Sequence, residues 1–556
     1  MAIFGACAGV AGMARWPGDW DGNAMGQLFN ACDYLLDRRL AAGDSERVAL
    51  AGSFNGASGL AGPASEITYA GLHDLVCRTA AGLRALGLQP EQRLLMVMAD
   101  SPEFVVTYLA AMRIGAIPVP ASTMSRADGI AELLRDSRAR LLAVTHEFAA
   151  AAVTAAAAAP ELTGLLTDSP LAVGLPAALP AYALTDLAGA APDESVYDTS
   201  ADSPAFWLYT SGTTGMPKGA MHRHGSVQVV CETYGTKVLG IRPDDRCLSA
   251  AKAFFAYGLG NSVLFPLSVG AAAVLNAPPS QPELIADVAA RHGATLFFAG
   301  PTFFANMLRA GLPGDALAGV RLAASAGEAL PAPLYQRWTG HFGTDIIDGI
   351  GMTEMLHIFL SNAPGRVRPG TTGEAVPGYE LKLIDEETGQ EAGDDQPATL
   401  FVRGASAATG YWSRYEASRQ VFQGEWLRTG DTYVRDADGY YTCLGRAGDM
   451  IKASGMWVSP MEVEARLLAH PAVAQAVVVA AQDTDGLEKP VGYVILQPGQ
   501  VAGETVTEEE LIEYCRAGLP SFKRPRAIVF TDSYPATATG KVRRVDLRAM
   551  AAKILA

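Results

Sequence analysis

Between Arg93 and Pro170, apolar runs of strand length alternate with stretches of helix length. This alternation constrains the fold more tightly than any other feature of the chain. Strands that read as continuous apolar runs must be covered on both faces. The pattern therefore predicts parallel sheets flanked by helices. RLLMVMA (93–99) reads as a buried strand. SPEFVVTYLAAMRIG reads as a helix, with Ser101 as N-cap and Pro102 at the first helical position. AIPVPA, GIAELLRDS and RLLAVT continue the alternation, and the alanine-rich AAAAVTAAAAAP reads as a surface helix. Segment 187–204 is rich in Pro, Asp, Ser and Ala and reads as a loop, after which a second alternating block runs from 205 to about 362. A turn-rich stretch, 364–378, precedes short strands. A last unit begins near 446: DMIKASGMWVS reads as a strand pair and VAQAVVVAA as a strand. The helix between them is opened by a capping-box pattern of Ser459, Pro460 and Glu462. No internal repeat is present.

Composition narrows the class. The chain has 556 residues, so several folding units are expected at about 150 residues each. It is 49% hydrophobic and 18% charged, which excludes wholesale disorder and fibrous repeats. The net charge is −15 with no basic run, so no nucleic-acid partner is expected. No apolar stretch is long enough to span a bilayer, so no membrane insertion is expected. Seven scattered cysteines without a C-x-x-C pair suit neither a zinc site nor a disulfide framework, and fit a reducing cytoplasm. The first fifteen residues lack a basic residue ahead of their apolar part. They read as a flexible leader or an over-generous start, not as a secretory signal.

The strongest local signal is YTSGTTGMPKG, Tyr209–Gly219, after the apolar strand AFWLYT. Its glycines permit a tight turn, and its hydroxyls and Lys218 can wrap phosphates together with backbone N–H groups. It is not a Walker loop, because no G-x-x-x-x-G-K-[ST] fits. Lysine is scarce: only nine occur, none before Lys218, so each retained lysine hints at a need for a compact ammonium.

The loop resembles the signature of the adenylate-forming superfamily, which includes acyl-CoA synthetases. DGIGMTE (348–354), RTGD (428–431), GRAGDMIKASGMWVSPMEVE (445–464) and PATATGKVRR (535–544) resemble its further motifs in the same order. The resemblance covers nearly the whole chain. It implies an α/β fold: a large N-terminal domain of βα subdomains with flanking strands (1–447), and a small mobile α+β C-terminal domain (448–556). It implies ATP, Mg2+ and coenzyme A as cofactors. Lys218 with Thr210, Ser211, Thr213 and Thr214 would hold the outer phosphates. Thr353 would touch the α-phosphate, and Glu354 would hold Mg2+. Gly327, Glu328 and Ala329, with Asp348, Gly349 and Ile350, would surround the adenine. Asp431 would bind the ribose, with Arg446 nearby. Lys541 would bridge the acid and the α-phosphate during adenylation. Lys452, Gly455 and Trp457 would form the thiol tunnel after the C-terminal domain turns. The pivot, usually Asp or Lys in the family, is Gly448 here, which keeps rotation free but loses a charge.

FFAYGLGN and TEMLHIF resemble benzoate-CoA ligases. That likeness places a small aromatic carboxylate among Ala256, Tyr257, Gly351, His357 and Ile358. Phe254, Phe255, Phe298 and Phe303 read equally as pocket or core. His222 and His224 lack a third ligand and do not read as a metal site. Cys443 reads as a buried strand thiol. The expected activity is ATP-dependent activation of benzoate or a small substituted benzoate, then transfer to CoA. Two alternatives stand beside it. One is an aryl adenylation enzyme loading a carrier protein, which would differ at the tunnel mouth, where Arg516, Lys523, Arg524 and Arg526 could meet the CoA phosphate. The other is a non-catalytic acyl-adenylate-binding protein, which the intact Lys218, Glu354, Asp431 and Lys541 argue against.

Overall fold

Strands and helices of the first block fall where the alternation places them. The computed structural model describes residues 28–52, 66–169, 171, 179–210, 216–453, 456–483, 487–535 and 542–555. The apolar leader, Ser211, Thr213, Thr214, Gly455 and Lys541 lie outside the described residues. Five parallel strands form one sheet, in the order Ile117–Pro120, Arg93–Val97, Leu141–Val144, Gly164–Thr167 and Ala181–Ala183. Helix Pro102–Arg113 follows Ser101, as the sequence suggests, but the Ser101 hydroxyl makes no capping bond. The alanine-rich helix Ala149–Ala156 is not simply a surface element. Ala152, Val153, Ala155 and Ala156 are buried, and it packs on helix Ala127–Ser137.

The second block builds the larger sheet. Its parallel centre runs Ile346–Gly351, Leu322–Ser325, Leu296–Ala299, Arg246–Ser249, Ala272–Leu275, Val48–Gly52. Antiparallel strands close each edge: Glu66–Thr68 on one side, Ile358–Ser361 and Glu374–Ala375 on the other. Successive side chains enter opposite cores, as the two-residue strand period requires. Phe297 joins Phe304, Trp338 and Phe342 on one face, while Leu296 and Phe298 pack with Leu259, Phe265 and Ile347 on the other. Phe254 is buried as well, while Phe255 and Phe303 are half-buried.

An antiparallel sheet of Tyr379–Ile384, Ala398–Gly404, Trp426–Arg435, Phe422–Gln423 and Tyr441–Arg446 follows. The chain then passes through Ala447–Asp449 into hairpin Ile451–Ala453 and Met456–Val458, and a smaller sheet of Val473–Gln482, Glu488–Leu496 and Ala527–Phe530. The fold is thus a large N-terminal α/β unit with a smaller C-terminal one. They meet where Gln475 Nε2 donates to Asn306 Oδ1 at 3.0 Å and Arg337 reaches the Val473 carbonyl. Ser459 caps helix Pro460–Leu468 by accepting from Glu462 N–H. The expected capping box is not reciprocal, because the Glu462 carboxylate takes Lys523 Nζ at 2.6 Å. Between strand Tyr441–Arg446 and hairpin strand Ile451–Ala453, Arg548 grips the Gly448 carbonyl at 2.9 Å and the Asp449 carboxylate. A Cβ on Gly448 would meet nothing within 4 Å. Among the described residues no helix is long and apolar enough to cross a membrane.

One buried charge fastens the N-terminal helices. The Arg113 side chain is fully buried and forks onto both Asp37 carboxylate oxygens, at 2.8 and 3.0 Å. Removing one partner of such a pair strands the other without solvent. Asp37→Ala is expected to lower unfolding stability by about 3–5 kcal/mol, read as a reduced urea midpoint.

Candidate active site

Parallel strands deliver their C-terminal ends to a common edge, where open α/β sheets place their ligands. Here a cavity of about 230 Å³ opens at that edge. Gly327, Glu328 and Ala329 leave strand Leu322–Ser325 to form one wall, and Asp348, Gly349, Ile350 and Gly351 of the next strand form another. Thr302 Oγ1 fixes Glu328 by donating to Oε2 at 3.2 Å. The antiparallel sheet contributes Asp431 and Arg446, direct cross-strand partners whose carboxylate and guanidinium meet at 3.0 Å. Asp431 is buried while the Arg446 side chain is 60% exposed, so solvent screens the pair. Arg446 Nη1 also donates to the Thr429 carbonyl. The C-terminal unit closes the cavity with Tyr534, Val542, Arg544 and Glu464. Arg544 Nη1 lies 2.7 Å from Glu464 Oε1. Residues on both flanks of segment 536–541 therefore face the cavity.

Asp348 is buried at the cavity wall. Burial pushes its carboxyl up to about 8, so it holds a proton at neutral pH. Its Oδ1 has no hydrogen-bond partner among the described residues.

Beside the cavity stands a second group, Thr210, Lys218, Thr353 and Glu354. Strands Pro204–Thr210 and Lys218–Arg223 pair so that Thr210 lies opposite Lys218. His222, on the same strand, reaches the Thr353 carbonyl through Nε2 at 2.8 Å. Its ring stacks on Phe206, and burial pushes its pKa down to about 4. His224 turns elsewhere, accepting from the Ala31 N–H at Nδ1. The two histidines thus anchor backbone in different places. Glu354 is buried and takes a hydrogen bond from the Tyr411 hydroxyl, and the Lys218 ammonium sits 5.5 Å from the Tyr411 ring centre.

Of the residues expected to hold an aromatic acid, only Gly351 lines the described cavity. Tyr257, His357 and Ile358 form a packed cluster behind it with Tyr234 and Phe265; Ala256 is half-buried beside it. Tyr257 donates its hydroxyl to the Ala324 carbonyl at 2.8 Å. His357 Nε2 lies 3.3 Å from the Tyr257 carbonyl, and since a carbonyl only accepts, that nitrogen carries the proton. Close approach explains two glycines. A Cβ at Gly351 would lie 2.6 Å from the His357 carbonyl oxygen, and one at Gly260 would lie 2.4 Å from the His357 ring.

The family model for AMP-binding enzymes matches residues 38–412, and that for the AMP-binding enzyme C-terminal domain matches 462–541. The chain belongs to the AMP-binding enzyme family. It is 40% identical to a benzoate–CoA ligase of Thauera aromatica, over 94% of this chain and 96% of the relative. The crystal structure of a benzoate CoA ligase from Burkholderia xenovorans LB400 superposes with a TM-score of 0.84 at 40% identity, covering 94% of this chain and all of that one. The anthranilate CoA ligase AuaEII, solved with anthranoyl-AMP, gives 0.86 at 36% identity, covering 95% and 98%.

In this AMP-binding enzyme the remaining expected residues sit apart. Lys452 and Trp457 are exposed cross-strand partners on hairpin Ile451–Ala453 and Met456–Val458, away from the cavity. Cys443 departs from the sequence reading. It is half-buried and lines the cavity, although burial pushes its thiol up to about 12, which keeps it protonated. Sequence reading missed Tyr411, Thr302, Glu464 and Arg544 as site neighbours. Glu464 and Arg544 end the motifs 445–464 and 535–544, which gave them no role, while only spatial pairing marks Tyr411 and Thr302. Burial pushes His357 down to about 3. Its imidazole is expected to stay neutral and Nε2-protonated from pH 5 to 8, with no titration in long-range nitrogen–proton NMR spectra over that range.

Proposed function

We propose that this enzyme joins benzoate, or a small substituted benzoate, to CoA through an aryl adenylate. The observation that best supports it is the shared wall at Ile350–Gly351. One side of this strand end faces the cavity, and Gly351 packs directly on the backbone of His357, so nucleotide and aromatic ring can meet at one place. A flat ring suits the Tyr257 and His357 surroundings, which present aromatic faces.

The reaction has two displacements. A carboxylate oxygen attacks the α-phosphorus of ATP, and the bond to pyrophosphate breaks. The CoA thiolate then attacks the acyl carbon, and AMP leaves. The first step brings one anion against a polyanion, so cationic groups must face the phosphates. Lys218 with Thr210, and the Ser211, Thr213 and Thr214 loop, would hold the outer phosphates, and Thr353 the α-phosphate. His222 holds the Thr353 carbonyl and so fixes that turn. Glu354, a buried carboxylate, suits a hard cation that prefers oxygen ligands. Mg2+ bound there would neutralise charge on the phosphates. Asp431 would take the ribose hydroxyls, held by Arg446. The neutral Asp348 carboxyl both donates and accepts, as the edge of adenine does, and its free Oδ1 gives it a reason to. Gly327, Glu328, Ala329, Gly349 and Ile350 would wall the base.

We further propose a domain boundary at Ala447–Gly448. Lys541 would serve adenylation in the orientation seen, since both flanks of its segment face the cavity. The hairpin carrying Lys452, Gly455 and Trp457 would replace it for thioester formation. Of the cations suggested for the CoA phosphate, Lys523 is bound to Glu462 and Arg516 to Glu513. Arg524 and Arg526 have no acidic partner among the described residues and are better placed for that role.

The test is AMP release from ATP and Mg2+, with and without CoA, across benzoate, hydroxybenzoates, aminobenzoates, cinnamate and a fatty acid. CoA-dependent release with one benzoate is expected. AMP release that CoA does not stimulate, with pyrophosphate exchange intact, would favour carrier loading, and binding without turnover would sink the enzymatic reading. A second expectation concerns Asp348. Between pH 7 and 9 its ionisation should weaken ATP binding about tenfold, as a group titrating near 8 requires. Calorimetry should show that loss in the unsubstituted enzyme and a flat profile in Asp348→Asn.

A further inference from the structure

Resting on the adenylation reading above, we propose that Tyr411 is a positioning residue that holds Lys218 and Glu354 in one site while keeping them from pairing with each other. The placement begins in the backbone. Segment Thr409–Trp412 runs antiparallel to strand Lys218–Arg223. Met221 N–H donates to the Gly410 carbonyl at 3.0 Å, and Trp412 N–H to the Gly219 carbonyl at 2.9 Å. That pairing sets Tyr411 opposite Ala220, two residues beyond Lys218. Ser418 Oγ takes the Tyr411 N–H at 3.0 Å, and Phe422 meets the ring edge-on at 5.5 Å. The ring is therefore fixed from its own backbone and from one side. Asp136 secures the same segment further on, accepting from Tyr209 Oη at 2.7 Å and Arg414 Nη2 at 2.6 Å.

With the ring fixed, its two ends act on different charges. The hydroxyl donates to Glu354 Oε1, a charge-assisted bond that fixes the carboxylate's orientation. The face lies within cation–π range of the Lys218 ammonium. Lys218 forms no ion pair with any acidic group among the described residues, although Glu354 shares its tyrosine. An ammonium and a carboxylate free to meet would neutralise each other. The phenol lets each keep its charge for a ligand that carries both phosphate and a divalent cation.

Calorimetry of Mg2+–ATP binding, without any acid, tests this independently of turnover. Tyr411→Phe keeps the ring and loses the bond to Glu354. It is expected to raise the Mg2+–ATP dissociation constant about ten- to 150-fold, the range for one hydrogen bond to a charged group. Thioester formation from supplied benzoyl-AMP and CoA should be unchanged, as should the KM for benzoate. In a Glu354→Gln background, Tyr411→Phe should add no further loss, because both act through one carboxylate. Additive losses would overturn the proposal, and so would an equal fall in both half-reactions, which marks support of the fold alone. If no acid supports pyrophosphate exchange, the adenylation reading fails, while the calorimetric comparison still decides the role of Tyr411.

Discussion

Everything in this molecule depends on parallel pairing in the large sheet. A parallel strand buried on both faces has nowhere to place polar side chains except at its ends. Six such strands bring those ends to one edge. Ser325–Glu328, Asp348–Gly351 and Pro301–Thr302 then meet there, although they are distant along the chain. The antiparallel sheet adds what that edge lacks, an acid and a guanidinium carried as cross-strand partners, Asp431 and Arg446.

Low dielectric does the second part of the work. His222 and His357 are buried deeply enough to stay neutral, so each acts as a fixed donor to a backbone carbonyl and adds no charge. Asp348 is likewise kept protonated. Among the charged side chains, Lys218, Glu354, Asp431 and Arg446 are each held by a specific partner. A polyanion approaching this region therefore meets oriented groups whose geometry was settled during folding.

Much of this was legible in the amino-acid sequence. The apolar runs 93–99 and 205–210 announce strands because both faces are buried, and the motif order announces the family. Gly327–Ala329, Asp348–Gly351, Asp431 and Arg446, singled out by their motifs, line one cavity. What the sequence hides is pairing between segments far apart. Nothing in TGYWSR says that Tyr411 will lie against strand Lys218–Arg223, and nothing near Glu462 says that Lys523 will take its carboxylate from the cap. Burial was misjudged where composition is monotonous, as in Ala149–Ala156, whose alanines present the same side chain to core and solvent alike. Cys443 was misjudged for the opposite reason, since a strand pattern cannot show that one face borders a cavity.

Gly448 carries a consequence of its own. Arg548 holds this point through the main-chain carbonyl and the neighbouring Asp449, so the grip takes no notice of what side chain position 448 bears. The space around it is empty. Position 448 is thus an open address in the architecture. A small side chain placed there would enter open space and leave untouched the grip that Arg548 keeps on the main chain.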